Sequence, residues 1–289
     1  MRFFITTLEI ILPALYFATV WVYGKAFFAG NLRAAALRRA LLSSTVGAHL
    51  VYVILRTILL EHFPITSFFE ILSLISLTVS IVYYYIEFRT GNRETGYFIL
   101  MLPLFFQIIS SVFVKDYIQV PAQLRGTLLG FHVSSALLGY AAITISAAYG
   151  LLYLMLYHDI KSNQFGVVYK RLPDLETLER MSVTATFIGT ILLTVAITLG
   201  VIWLPLVIKS FSYADPKLFS TMAVWVVYVF GLVAKQAAGW KGRRMMVVTV
   251  MVFGVELKIH LRWLPHSSNT SNGRMRLKRS SLSKEFLME

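Results

Sequence analysis

Absences narrow this chain first. It contains no cysteine, which removes disulfides, thiolate chemistry, iron–sulfur clusters and cysteine-ligated zinc together. Charged residues make up only 14% of its 289 positions, against roughly 25% in soluble domains. No cleavable signal-peptide pattern is present. Arg2 and Glu9 are the only early charges, and no small-residue cleavage site precedes Lys25, so the first apolar stretch is expected to be retained. There is no P-loop, Gly-rich dinucleotide motif or Ser-His-Asp set. Carboxylates are nearly missing from the middle of the apolar runs, where sodium- or proton-coupled transport usually leaves them. No internal repeat is visible. An enzyme is not expected.

What remains is apolar. Hydrophobic residues make up 57% of the chain and the mean hydropathy is +0.69. Eight runs can cross a hydrocarbon core, which takes about 20 helical residues. They lie near 7–28, 41–60, 67–88, 96–114, 128–157, 182–207, 218–235 and 244–257. The expected fold is all-α, a polytopic membrane bundle of about eight transmembrane helices over residues 1–257. A basic, disordered tail rich in Ser, Asn, Lys and Arg follows over 258–289. Before span six, Leu172 to Arg180 reads as a Pro-initiated amphipathic lead-in helix.

In a soluble protein the net charge of +13 would point to nucleic acid. Here no nucleic acid is expected, and the charge reads as basic loops facing anionic lipid. The loops after odd-numbered spans carry it: Lys25, Arg33, Arg38 and Arg39; Arg89 and Arg93; Lys161, Lys170 and Arg171; Lys235, Lys241, Arg243 and Arg244. The positive-inside rule then puts these loops in the cytoplasm and the N-terminus outside. The expected location is the cytoplasmic membrane of a bacterium.

Leu128 to Leu156 is the most informative run. It carries no acidic or basic charge and opens with His132. An imidazole at the mouth of a span is costly unless something uses it, and neutral imidazole is a common ligand for iron. The bland reading is a histidine hydrogen-bonded to a neighbouring helix. His49 sits mid-span with Arg56 seven residues on, so both point to roughly the same helix face. Such a pair must face protein, water or a ligand. It would suit a metal-bearing anionic ligand such as haem with its propionates, or else form a structural polar pair. His62 and His158 read as solvated loop residues. His260 and His266 follow the last span, where either could meet His132 if that span crosses. Ser67 and Glu70 form a candidate capping box, and Asp215-Pro216 a helix start.

Several of these pieces stand in one order. Pro64-x-Thr66-x-x-x-Glu70 opens span three. Phe131-His132-Val133 and Gly139-Tyr140-Ala141 open span five. Leu175-Glu176-x-Leu178 precedes span six. Asp215-Pro216-Lys217 and Trp225-x-x-Tyr228 belong to span seven, and Gly239-Trp240-Lys241-Gly242-Arg243 follows it. This colinear set, from about residue 40 to 255, resembles the cytochrome c assembly family, the CcsA and HemX type of membrane haem-handling protein. The HemX-like form is nearer in length and in its sparse outer loops.

The resemblance implies a membrane protein that binds or presents haem for cytochrome c maturation. Haem b would be the cofactor, and other cytochrome c maturation membrane proteins would be partners. It implies that His132 is an axial ligand to haem iron, with Tyr140 and Trp225 lining the site. His49 and Arg56 would make a second, intramembrane contact. His260 or His266 would stand for the family's second external histidine. The chain also departs from the pattern. Ser210 to Ala214 replaces the family's Trp-rich external segment, Val233 stands where better-known members carry a membrane histidine, and Glu256 replaces an Asn. Two other readings stay open. One is a HemX-like regulator of haem synthesis that acts through a partner without carrying haem. The other is a small-molecule permease, which predicts an inverted repeat.

Overall fold

A backbone inside hydrocarbon must satisfy its own N–H and C=O groups, which favours continuous helix over long apolar runs. The computed structural model describes residues 2–114, 126–163, 166–207 and 216–262, and all its regular elements there are helices. In order they are α1 (Arg2–Ala29), α2 (Leu32–Leu60), α3 (Phe68–Thr90), α4 (Gly96–Phe113), α5 (Thr127–Lys161), α6 (Val167–Arg171), α7 (Leu175–Val207), α8 (Pro216–Ala237) and α9 (Arg243–Arg262).

Among the described residues, seven helices are long and apolar enough to cross a membrane: α1 to α5, α7 and α8. The expected eighth span falls on α9, which is not among them. Arg243, Arg244, Glu256, Lys258 and Arg262 put charge at both ends of its 20 residues. The chain forms one compact unit over Met1–Phe253, and a second unit begins at Gly254. Of the second unit only the helical stretch to Arg262 is described, so the tail expected from 258 lies mostly outside the described residues.

The helix ends follow local rules. Asn31 caps α2 by accepting from the Ala34 N–H at 3.0 Å. Ser67 and Glu70 form the expected capping box on α3. α8 begins at Pro216, while Asp215 lies outside the described residues. The lead-in expected before span six is not a separate element. α7 runs unbroken from Leu175, after the short α6.

The broadest helix pairing is α5 against α7, and small residues permit it. A Cβ on Gly189 would stand 2.8 Å from the Ile143 side chain and 3.0 Å from the Gly139 carbonyl. Without a hydrophobic driving force between helices in lipid, such close approach supplies the packing contacts. The main core draws on α1 to α5 and α7, with Leu42 from α2, and Met245 and Met246 at the start of α9 join it.

The basic links gather at one end of this unit. Arg38 pairs with Glu94 at 3.2 Å. Arg171 donates to the Ala26 and Phe27 carbonyls at the end of α1. Lys235 pairs with Glu179 at 2.6 Å, and Glu179 also accepts from the Gly242 N–H at 2.8 Å. The N-terminus of α5 lies at the other end, where Gly130 faces Phe63 of the α2–α3 link and Gly126 faces Trp203.

Candidate functional site

His132 sits in the second turn of α5, half-buried against α7. Its Nδ1 lies 2.9 Å from the Ala196 carbonyl. A carbonyl only accepts, so Nδ1 carries the hydrogen, and in the neutral ring Nε2 is then the nitrogen with the lone pair. Among the described residues Nε2 has no hydrogen-bond partner. Gly200 makes room for the ring, since a Cβ there would stand 2.9 Å from His132 Cε1. An imidazole held by one nitrogen through a backbone carbonyl, with the other left free, is the usual disposition of a metal-binding histidine. Along the same α5–α7 seam, with His132 itself not in its lining, runs an apolar groove of about 320 Å3. It is lined by Leu128, Phe131, Ser134, Ser135 and Leu138 of α5 and by Leu192, Val195 and Leu199 of α7.

Tyr140 and Trp225 come together about 12 Å further along α5, eight residues at 1.5 Å each. Tyr140 shares a hydrogen bond with the Thr221 hydroxyl at 3.2 Å, and Trp225 Nε1 donates to Thr194 at 2.8 Å. Both pack on a cluster of Ile143, Leu193, Val224 and Tyr228. They lie about two turns deeper along α5 than His132. Val233 lines a separate groove of about 720 Å3 between α7 and α8, with Phe187 and Leu232. No imidazole lines that groove.

His49 is placed differently. It is 0% exposed. Tyr16 lies 2.9 Å from its Nδ1 and Ser73 lies 2.9 Å from its Nε2. Ser73 spends its one hydroxyl hydrogen on Gln107 Oε1 at 3.1 Å, so it must accept from His49 Nε2–H. Nδ1 then accepts from the Tyr16 hydroxyl. Both nitrogens are committed to the bundle. Arg56, 2% exposed, is committed too. It donates to Glu70 from Nε at 3.2 Å and Nη2 at 3.1 Å, and to Glu9 from Nη1 at 2.9 Å. The two residues share a helix face, as expected, but each closes its own network.

Several of these partners escaped the sequence reading. Glu9 and Glu70 near the helix ends are the counter-charges of Arg56, though a capping role alone accounted for Glu70. Glu87 near the end of α3 is 1% exposed and accepts from the Tyr23 hydroxyl at 2.5 Å. Arg93 and Arg39 stand 3.4 and 3.9 Å from it, as ion pairs rather than hydrogen bonds. His62 is not solvated as expected. It is 3% exposed, with Nδ1 3.0 Å from the Phe63 carbonyl. Its link packs at Gly130, two residues and so about 200° around α5 from His132, so it serves another face. His158 is exposed, as expected. The His260 side chain and all of His266 lie outside what the structure describes.

Among the described residues, no three His, Cys, Asp or Glu side chains gather to hold a metal ion.

The family profile described as cytochrome C assembly protein matches residues 39–257. The cytochrome c biogenesis protein CcsA of Heterosigma akashiwo is 26% identical over 220 residues, covering 64% of this chain and 68% of the relative. Protein HemX of Brevibacillus brevis is 24% identical over 221 residues, covering 74% and 79%. Protein HemX of Bacillus subtilis is 29% identical over 139 residues, covering 45% and 50%. No solved structure matches the chain significantly. With a profile spanning most of its length and a multi-pass helical bundle to match, the chain belongs to the cytochrome c assembly protein family.

Proposed function

We propose that this protein binds haem b and handles it in support of c-type cytochrome biogenesis, with His132 Nε2 as an axial ligand. One observation carries the reading: of the two half-buried or buried membrane histidines on α2 and α5, only His132 keeps a free ring nitrogen. The Ala196 carbonyl fixes the tautomer, and the groove of Phe131, Leu138, Val195 and Leu199 offers an apolar shell for a porphyrin. Haem would bring iron with four equatorial ligands, and this chain would add the axial nitrogen and the surrounding apolar shell. Tyr140 and Trp225 would floor the site. His49 and Arg56 would hold the helices that surround it. His260 or His266 would supply the second external imidazole. The names of the relatives support a place beside other cytochrome c maturation membrane proteins. By the charge of its links, the protein would lie in the cytoplasmic membrane of a bacterium with its N-terminus and His132 outside.

The test is an absorption spectrum of the purified protein. A Soret band is expected, lost or shifted in His132→Ala and restored in part by added imidazole. His158→Ala should leave it unchanged. Equal haem in wild type and His132→Ala overturns the ligand assignment. No haem in any preparation favours a regulator acting through a partner, and substrate flux in vesicles favours a permease.

A further inference from the structure

The last turns of α5 and the first turn of α9 enclose a cavity of about 330 Å3, at the end of the unit opposite His132. It is lined by Leu154, Tyr157, His158, Lys161, Arg243 and Val247. On α5 the spacing 154, 157, 158, 161 makes one stripe of the helix surface. On α9, Arg243 and Val247 are one turn apart. Both helices therefore present the same order, an apolar side chain deeper in the bundle and a cation at the rim. Arg243 is fixed there by stacking over the Tyr157 ring, 5.5 Å from its centroid. Tyr157 in turn lies parallel to Tyr153 at 6.5 Å.

No carboxylate lines this cavity. Glu179, the acid nearest α9 in the contacts described, is already taken by Lys235 and the Gly242 N–H. A second hollow of about 430 Å3 continues around Arg243, lined by Trp240, Arg244, Val247 and Val248. Two cations and an imidazole over an apolar floor complement an amphiphilic anion. A soluble anion has no use for the floor. The depth is also right. α5 is 35 residues long, about 52 Å at 1.5 Å per residue. A hydrocarbon core is about 30 Å thick, so its last turns reach the headgroup level.

We infer that His158, Lys161 and Arg243 bind the headgroup phosphate of an acidic phospholipid, with an acyl chain lying along Leu154 and Val247. The site is independent of the haem reading, since it shares no residue with the His132 face. It ties α9 to α5 through a lipid rather than through an ion pair.

The experiment uses the full chain in nanodiscs, read by native mass spectrometry. Nanodiscs contain phosphatidylcholine with or without phosphatidylglycerol. Wild type should retain one phosphatidylglycerol per chain in preference to phosphatidylcholine. Lys161→Gln with Arg243→Gln should lose that preference, by about fivefold for each cation removed. Arg33→Gln with Arg89→Gln removes equal charge from exposed positions at the same end and should leave it intact. Equal loss in that control overturns the site in favour of diffuse surface charge. So does unchanged retention in the first variant. Competition by millimolar inorganic phosphate overturns the lipid assignment in favour of a free anion. Should the double variant fail to fold, wild type with a photoreactive phosphatidylglycerol decides the matter. Crosslinks at Leu154 or Val247 are expected, and their absence overturns the proposal.

Discussion

Two halves of the bundle keep polar groups inside a membrane by different means. In α1 to α4 the buried charges are closed by other charges. Arg56 is held by Glu70 and Glu9, Arg38 by Glu94, and Glu87 by Tyr23 with two arginines nearby. The His49 chain is closed in the same sense, since Tyr16, Ser73 and Gln107 use up its hydrogens. The α5–α7–α8 face has hydroxyls instead. Ser182, Thr186, Thr190 and Thr194 follow one another every fourth residue on α7. The threonines among them bond back to carbonyls four residues earlier, while Ser182 meets Ser146. The first half answers its buried charges with opposite charges, although Tyr83 Oη, Glu87 Oε1, Arg93 Nε and Thr95 Oγ1 at its basic end have no hydrogen-bond partner among the described residues. The second has no ion pair among its described membrane-level side chains, close helix packing through glycine, and one imidazole with a free nitrogen. A buried network that is fully satisfied rigidifies a core. An unsatisfied nitrogen in the same membrane is a place where something else can bind.

The largest effect should come from opening the first half. Arg56→Met leaves Glu70 uncompensated in a buried site, which costs about 3–5 kcal/mol. Most of the folded protein should be lost, as read by thermal unfolding in detergent. Replacing both Arg56 and Glu70 by Met should recover part of that loss, because removing a buried pair together is far cheaper than breaking it. If Arg56→Met proves as mild as His132→Ala, the contrast between the halves is wrong.

The second half should break by overpacking. Gly189→Ala drives a Cβ to 3.0 Å from the Gly139 backbone, and backbone cannot turn aside as a flexible side chain can. A loss of about 1–3 kcal/mol is expected, with haem content falling in step as α5 and α7 separate. A third substitution sharpens the comparison. His49→Ala leaves the Tyr16 hydroxyl with the Ser76 carbonyl at 3.3 Å and the Ser80 hydroxyl at 3.2 Å, but it opens a buried space and removes the donor to Ser73, for a loss of about 1–3 kcal/mol. The absorption spectrum of the surviving protein should not move. A shifted Soret band in His49→Ala would bring α2 into the haem site.

The sequence made the helices legible because membrane spans are written in composition. Runs such as Leu128 to Leu156 leave little choice but helix. It also made His132 legible as a histidine opening such a run, and Ser67 with Glu70 as a cap. What it could not display was partnership. Glu9, Glu70 and Glu87 look terminal along the chain, yet two of their counter-charges, Arg56 and Arg39, arrive from α2. His62 reads as a loop residue, and only the packing of its link on Gly130 shows it buried. The eighth run is helical, as α9, but stands apart from the seven candidates among the described residues for a simpler reason. The apolar stretch from Met245 to Val255 is real, but its flanking charges make α9 too short in apolar length. Which nitrogen of which histidine stays free depends on contacts 24 to 64 residues apart in sequence, and local pattern carries no trace of them.

The smallest expected change in stability is also the most discriminating test. Gly200 lies under His132, and its missing Cβ leaves space for the ring. Gly200→Ala gains about 1 kcal/mol of helix propensity on α7. The new methyl, 2.9 Å from Cε1, pushes the ring off the Ala196 carbonyl and forfeits a hydrogen bond worth about 0.5–1.5 kcal/mol. The two nearly cancel, so thermal unfolding should stay close to wild type. The imidazole, however, loses the contact that fixes its tautomer and direction, so haem content should fall or the Soret band should shift. Gly231→Ala on α8 is the matched control, because its Cβ would meet only the tip of Met245 at 3.8 Å. It should gain similar helix propensity with no spectral change. An unchanged spectrum in Gly200→Ala alongside lowered stability would make His132 a packing residue. The α5–α7–α8 face would then be as closed as the α1–α4 half.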